Sequence, residues 1–290
     1  MHLRASFVVF LPCFFALSAC SLAAQTSSGP LPQPAQKLVA DVIYNELQDR
    51  GCDSFWEYRS ERVSGAQNVV REQVETSDGP IFRVIEDHGN PLNSQQSERE
   101  EERLRALVER PGAMVRVRQE HEQDEKRLRQ VMEMLPSAFL FEYDGASDGE
   151  SVRITFRPNP AFVPSSYEAR VVHALSGTLT VNQRLKRLID MNGRTMDRVD
   201  FGYGILGHVE KGGTFEIHRE QVNETRWKTD LVEVHIQGKM LLFKNVTKDQ
   251  REARSDFHPV PHDISAVAAK ELLDQVGNHR DEARLAHAGH

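Results

Sequence analysis

Along most of the chain, apolar and polar residues alternate with the period of two that a half-buried β-strand requires, and only a few stretches switch to the 3.6 period of a helix. Phe139, Phe141 and Tyr143 alternate with Leu140 and Glu142, and Val152, Ile154 and Phe156 with Arg153 and Thr155. Leu175, Gly177, Leu179 and Val181 alternate with Ser176, Thr178 and Thr180. Later, Phe215 and Ile217 flank Glu216, and Val232, Val234 and Ile236 flank Glu233 and His235. Shorter runs rich in β-branched and aromatic residues, 55–59, 69–74 and 81–85, predict three consecutive antiparallel strands separated by Ser64-Gly65 and by Ser77-Asp78-Gly79-Pro80. Asp144-Gly145 and Gly238-Lys239 predict turns, the second leading into Leu241-Leu242-Phe243, and Asn192-Gly193 predicts a hairpin.

Helical spacing is confined to the start, one insertion and the end. Leu38, Val39, Val42, Ile43 and Leu47 place a helix over 35–48, stopped by Gly51. Leu104, Leu107 and Val108 predict a short helix ending at Pro111-Gly112, and Leu128, Val131, Met132 and Leu135 a second one closed by Pro136. Met132 and Met134 suit either plain packing on the sheet or an adaptable lid. Ile264, Ala268, Leu272 and Val276 predict a last helix, with Asp263 as its cap. Period-two alternation gives a sheet one wet face and one apolar face. The expected fold is therefore α+β and mainly antiparallel. It is a curved half-barrel sheet with an N-terminal helix, a helical insertion and a C-terminal helix on or near its concave face. No linker interrupts residues 35–277, which are expected to form one domain, followed by a polar tail over 278–290.

The first 24 residues change the picture. Arg4, the apolar stretch from Ala5 to Leu17 and the small residues after it have the layout of a secretory leader. That stretch is shorter than the roughly 20 residues a helical membrane anchor needs. Leu17-Ser18-Ala19-Cys20 has the form of a bacterial lipobox, which would make Cys20 the acylated N-terminus, while Ser21-Leu22-Ala23-Ala24 offers ordinary cleavage sites. Residues 25–34, rich in Ser, Gly and Pro, form a tether. Either processing route leads to the periplasm or the outer membrane, with the membrane reached only through the acyl anchor.

The 290 residues carry a formal net charge of −7. That balance argues against a nucleic-acid groove. Cys52 is the only one of three cysteines outside the leader, so no internal disulfide framework is expected, and Gly51-Cys52-Asp53 predicts a turn with Cys52 partly buried. Gly202-Tyr203-Gly204-Ile205-Leu206-Gly207 spells a dinucleotide fingerprint, but Gly212-Gly213 shortly after it opposes the helix that must hold the phosphates. These glycines fit a bend or bulge in a strand better. His258 and His262 are separated by Pro259 and Pro261, which prevents a helical metal pair. No serine elbow or assembled acid–base pair emerges, so no catalytic residue, metal or cofactor is assigned.

Together, the exported chain, leading amphipathic helix, strand run and helical insertion resemble the outer-membrane-lipoprotein carrier and receptor family (the LolA/LolB-like half-barrel fold). The stretch from Ser176 to Phe257 carries most of the likeness, through Gly177-Thr178-Leu179, Phe201-Gly202-Tyr203-Gly204, Lys211-Gly212-Gly213-Thr214-Phe215 and Trp227 to Phe243. The resemblance implies an apolar cavity for a lipid, an acyl chain or a lipoprotein. The inward residues that would line it are Phe139, Phe141, Val152, Ile154, Phe156, Leu179, Val181, Phe215, Ile217, Val232, Val234 and Ile236. Two other readings fit the same pattern: an envelope sensor or interaction module with a filled interior, and a hydrolase whose site is assembled from distant residues.

Overall fold

The computed structural model describes residues 33–52, 55–110, 112–201, 207–240 and 248–275. Pro34–His290 is one compact unit, to which everything below refers. Helix α1 (Ala35–Cys52) leads into strands β1 (Phe55–Ser64), β2 (Gln67–Val74), β3 (Ile81–Asp87) and the two-residue β4 (Asn90–Pro91). Helices α2 (Ser94–Glu109) and α3 (Ala113–Ala138) form the insertion, followed by β5 (Phe139–Asp148) and β6 (Ser151–Pro158). A short α4 (Tyr167–His173) precedes β7 (Leu175–Asn182), β8 (Arg187–Thr195), β9 (Val199–Phe201), β10 (Gly207–Val209), β11 (Thr214–Gln221), β12 (Trp227–Ile236), β13 (Gly238–Met240) and β14 (Lys248–Val260). A final helix, α5, begins at residue 266.

Eleven strands form one open antiparallel sheet in the order β4-β3-β2-β1-β14-β12-β11-β8-β7-β6-β5, and β13-β10-β9 form a small second sheet. The chain's last strand, β14, pairs with β1 on one side and β12 on the other, joining the N-terminal hairpins to the C-terminal meander. Direct cross-strand partners share a face. The row Ile154–Leu179–Met191–Ile217–Val232–Glu252–Arg62 therefore runs along a single face from β6 to β1. Helix α1 packs on this face: Leu38, Val39, Val42 and Ile43 are buried with Ile154, Phe156, Leu179 and Val181. The opposite face of the first strands carries a second apolar cluster, in which Val74 and Ile81 meet Leu104 of α2 and Ala269 and Leu273 of α5. The helices thus divide between the two faces, which periodicity alone could not reveal.

Helix α3 shows how far the sheet curls. Near its start Arg118 Nε donates to Asp78 in the β2–β3 turn at 2.7 Å, and its last residue, Ala138, abuts β5. The 20 residues between those points span about 30 Å at 1.5 Å per residue. Eight strand-to-strand steps separate β2 from β5, and the two anchor points lie at opposite strand ends. On a flat sheet they would be roughly 45–50 Å apart. The sheet must therefore curve, and because α3 also packs on α1, the face carrying α1 is the concave one. The expected half-barrel is what the chain forms, with the correction that α2 and α5 pack on the face opposite to α1 rather than on the concave one.

Several local expectations are corrected. Asn192-Gly193 lies within β8 rather than in a turn; the chain reverses at residues 183–186, where Asn182 Oδ1 accepts from the Leu185 amide. Gly193 instead faces Gly177 across the ladder, where the strands approach so closely that a Cβ on Gly177 would overlap the Asn192 carbonyl. Asp144-Gly145 sits inside β5, which bulges between Tyr143 and Ser147 and turns at residues 149–150. Gly51 and Cys52 belong to the last turn of α1 rather than to a turn after it. Pro136 lies in the last turn of α3 without ending it. The N-terminus of α5 is closed by Ser265, whose Oγ accepts from the Ala268 amide at 3.2 Å, not by Asp263. Gly238-Lys239 is part of β13, and Leu241-Leu242-Phe243 lie outside the described residues, as do Val276, the tail after it, and the leader with Cys20.

Candidate functional site

The twelve residues expected to line a cavity share the inner side but not one environment. Phe139, Phe141, Val152, Ile154, Phe156, Leu179 and Val181 are all buried and pack against the apolar stripe of α1. Three of the rings interlock, Phe139 meeting Phe156 edge to face at 5.0 Å between centroids and Phe141 flanking both. In this half the helix itself fills the space. Met132, Met134 and Leu135 at the end of α3 close the same cluster, so the methionines serve as packing.

Phe215, Ile217, Val232 and Val234 differ. They form two direct cross-strand pairs on β11 and β12, Phe215 with Val234 and Ile217 with Val232, and all four are only partly buried. Met191 of β8 lies across from Ile217, and both Met191 and Phe215 still pack against the α1 cluster at the edge of the strip. Helix α1 passes the lower end of these strands and is held there by charge: Glu46 pairs with Arg219 of β11, and Asp49 takes Arg187 of β8 at 2.7 Å. The upper inner surface of β11 and β12 is therefore a greasy strip beside the filled half. Ile236 is not part of it and packs with Val199, Phe201 and Val209 in a third cluster under the small sheet.

Beyond β12 the inner face turns polar. Trp56, Tyr58 and Ser60 of β1, Arg71 and Gln73 of β2, and Glu252 of β14 are all buried. Ser60 Oγ donates to Glu252 at 3.2 Å and accepts from Arg71, and Gln73 Nε2 donates to the Tyr58 hydroxyl at 2.5 Å. Arg254 Nε lies 3.0 Å from Glu252, and Arg71 Nη2 lies 3.7 Å from it. Burial pushes the Glu252 carboxyl up, but the charges of Arg254, Arg71 and Arg62 and the Arg254 hydrogen bond outweigh it, leaving its pKa below the ordinary carboxylate value. Burial raises the Tyr58 hydroxyl, which stays protonated, and lowers the Arg71 guanidinium. The guanidiniums of Arg71 and Arg103 lie 4.8 Å and 4.5 Å from the Phe82 ring centroid. At the lower end the Lys228 ammonium sits 5.3 Å from the Trp56 ring and 3.4 Å from Glu75.

Sequence reasoning missed this cluster because it looked for apolar alternation. Strand β14 has almost none between Gln250 and Asp256, yet it lies inside the sheet, paired with β1 on one side and β12 on the other. The legible signal was the alternation in β1, where Trp56, Tyr58 and Ser60 are buried and the residues between them are not.

The remaining candidates are open clefts. An outer-face cleft of about 700 Å³ is lined by Ser176, Thr178, Asn192, Arg194, Glu216 and Glu233 among others. At its edge His235 bridges Asp249 at 2.7 Å and Glu233 at 2.8 Å, and those hydrogen bonds hold its pKa above the ordinary imidazole value. His262 stacks on Phe55, and His258 lies across the ladder from Glu57. Among the described residues no group of three metal-ligating side chains converges. Gly207 starts a strand, β10, so a helix does not follow the glycine fingerprint; residues 202–206 lie outside the described residues. No described helix is long and apolar enough to cross a membrane. No protein-family model matches the chain, and no characterised protein matches it in sequence.

Proposed function

We propose that this is an exported cell-envelope protein whose half-barrel binds an amphiphile, with the acyl chain laid along Phe215, Ile217, Val232 and Val234. The observation that carries this reading is the contrast within one surface. Where α1 covers the concave face the apolar core is buried, Phe215 and Met191 at its edge pack against that core, and beyond them Ile217, Val232 and Val234 stay partly open. Covering such a strip gains about 25 cal/mol per Å² of apolar area removed from water. The leader and the Cys20 lipobox support an envelope location, and the curved sheet with helices is compatible with the lipoprotein-carrier likeness. The ligand site is smaller than the twelve residues first suggested, because seven of them already have a partner in α1.

Native mass spectrometry of the purified protein should show a bound amphiphile that organic extraction removes. The stripped protein should then take up a fluorescent fatty acid. Val234→Trp should abolish that uptake while costing less than about 1 kcal/mol of stability, since it fills open space rather than a packed core. A protein that carries no lipid and ignores the probe, and that Val234→Trp destabilises by about 1–3 kcal/mol, would instead be an interaction module with a packed interior.

A further inference from the structure

The polar half of the concave face holds more cations than its own anions can satisfy. Arg254 and Arg71 share Glu252, and Arg62 stands directly across the ladder from that same carboxylate. Arg62 makes no ion pair or hydrogen bond among the described residues, and its charge reaches Glu252 only at a distance. Glu75 lies 3.4 Å from Lys228 and its charge also reaches Arg254, so Arg62, Arg71, Arg254 and Lys228 meet the two carboxylates Glu252 and Glu75. The surplus falls on Arg62, which has no carboxylate of its own. Arg71 is 8% exposed, and its Nε–H is buried without a hydrogen-bond partner. Buried polar groups are nearly always satisfied in native proteins, and an orphan beside surplus like charge points to a missing acceptor.

We propose that Arg62, Arg71 and Arg254 form the seat of an anionic head group, a carboxylate or a phosphate, belonging to the amphiphile whose chain lies on the β11–β12 strip. This rests on the reading given under Proposed function and adds the chemical class of the ligand. The two parts adjoin: Val232 and Glu252 are direct cross-strand partners, so chain and seat are neighbours on one surface. Access is from the rim, where the Arg254 side chain keeps 28% of its surface exposed and Arg62 is only partly buried. Arg71, braced by Ser60 Oγ and by the Phe82 ring, forms the floor. A planar guanidinium offers paired donors to either oxyanion, which suits both head groups.

The test compares four probes on the delipidated full-length protein by calorimetry: a long-chain fatty acid, the alcohol of equal chain length, the corresponding alkyl phosphate, and inorganic phosphate. The acid and the alkyl phosphate should bind at least about tenfold more tightly than the alcohol at low salt, and that advantage should shrink as salt rises. Arg62→Gln, at a residue without a structural partner, should bring the acid to within about threefold of the alcohol and leave the alcohol unchanged. Equal affinity for acid and alcohol overturns the seat but leaves chain binding standing. Failure of every amphiphile overturns both. Inorganic phosphate binding as tightly as the alkyl phosphate assigns the seat to a small free anion and refutes its link to the strip. Should Arg62→Gln fail to fold, the wild-type ratio of acid to alcohol and its salt dependence decide the matter.

Discussion

From β5 to β8 the concave face is held by apolar side chains pressed against α1, whereas from β14 to β2 the same face is held by hydrogen bonds and ion pairs among the sheet's own side chains. The two halves share one continuous hydrogen-bonded ladder and one curvature, so backbone pairing does not distinguish them. What differs is the covering element. A helix with an apolar stripe can fill one side of a half-barrel, and the side it does not reach must satisfy its inward groups by itself. The boundary falls on β11 and β12, where the surface is apolar yet only partly covered, and that is where we propose the ligand lies.

The comparison can be broken most strongly on the apolar side. Phe156 is 2% exposed and touches the rings of Phe139 and Phe141. Phe156→Ala should cost about 3–5 kcal/mol in urea unfolding, because a ring-sized cavity remains between sheet and helix. On the polar side, Glu252→Gln removes the carboxylate that Arg71 and Arg254 share and should cost about 3 kcal/mol, because it leaves buried charge unpaired. Replacing Arg71 and Glu252 together with Met should recover part of that loss, whereas no second change on the polar side should rescue Phe156→Ala. The acid limb of the stability curve sharpens the contrast. A carboxyl whose folded pKa is depressed contributes stability above its unfolded value, near 4.5, and loses it as pH falls through the lower folded value. Acid unfolding should therefore be shallower in Glu252→Gln than in wild type.

Smaller effects test the curvature and the outer face. Gly177→Ala forces a methyl group into the Asn192 carbonyl at the tight Gly177–Gly193 crossing and should cost about 1–3 kcal/mol by thermal melting. His235 is exposed, so its bridge between Glu233 and Asp249 belongs to the weak class of surface pairs. Its imidazole should titrate by NMR with a midpoint above 6.5. The small stability it adds is present below the unfolded imidazole value and fades as pH rises through the folded one. Asp249→Asn should move that midpoint down.

Much of the sheet was legible because alternation is a local property. The runs containing Phe139, Ile154, Leu179, Ile217 and Val234 all became strands, and their inward residues share a face. Asn192-Gly193 misled because the pair that favours a hairpin turn also permits two strands to approach closely at a bend. Strand β14 was invisible for a different reason. Its inward residues, Glu252 and Arg254, are polar and become burial-compatible only when Ser60 and Arg71, some 180 to 190 positions earlier, arrive beside them.

The residue pattern by itself determined the strand content, the antiparallel class, the leading helix and its apolar stripe. These follow from which side chains can tolerate water along a few consecutive positions. Only the tertiary structure decided that α1 fills half of the concave face, that α2 and α5 stand on the other face, and that Arg71 and Arg254 converge on Glu252. Those outcomes depend on contacts between distant segments, where the burial of one group is set by whatever the fold brings against it.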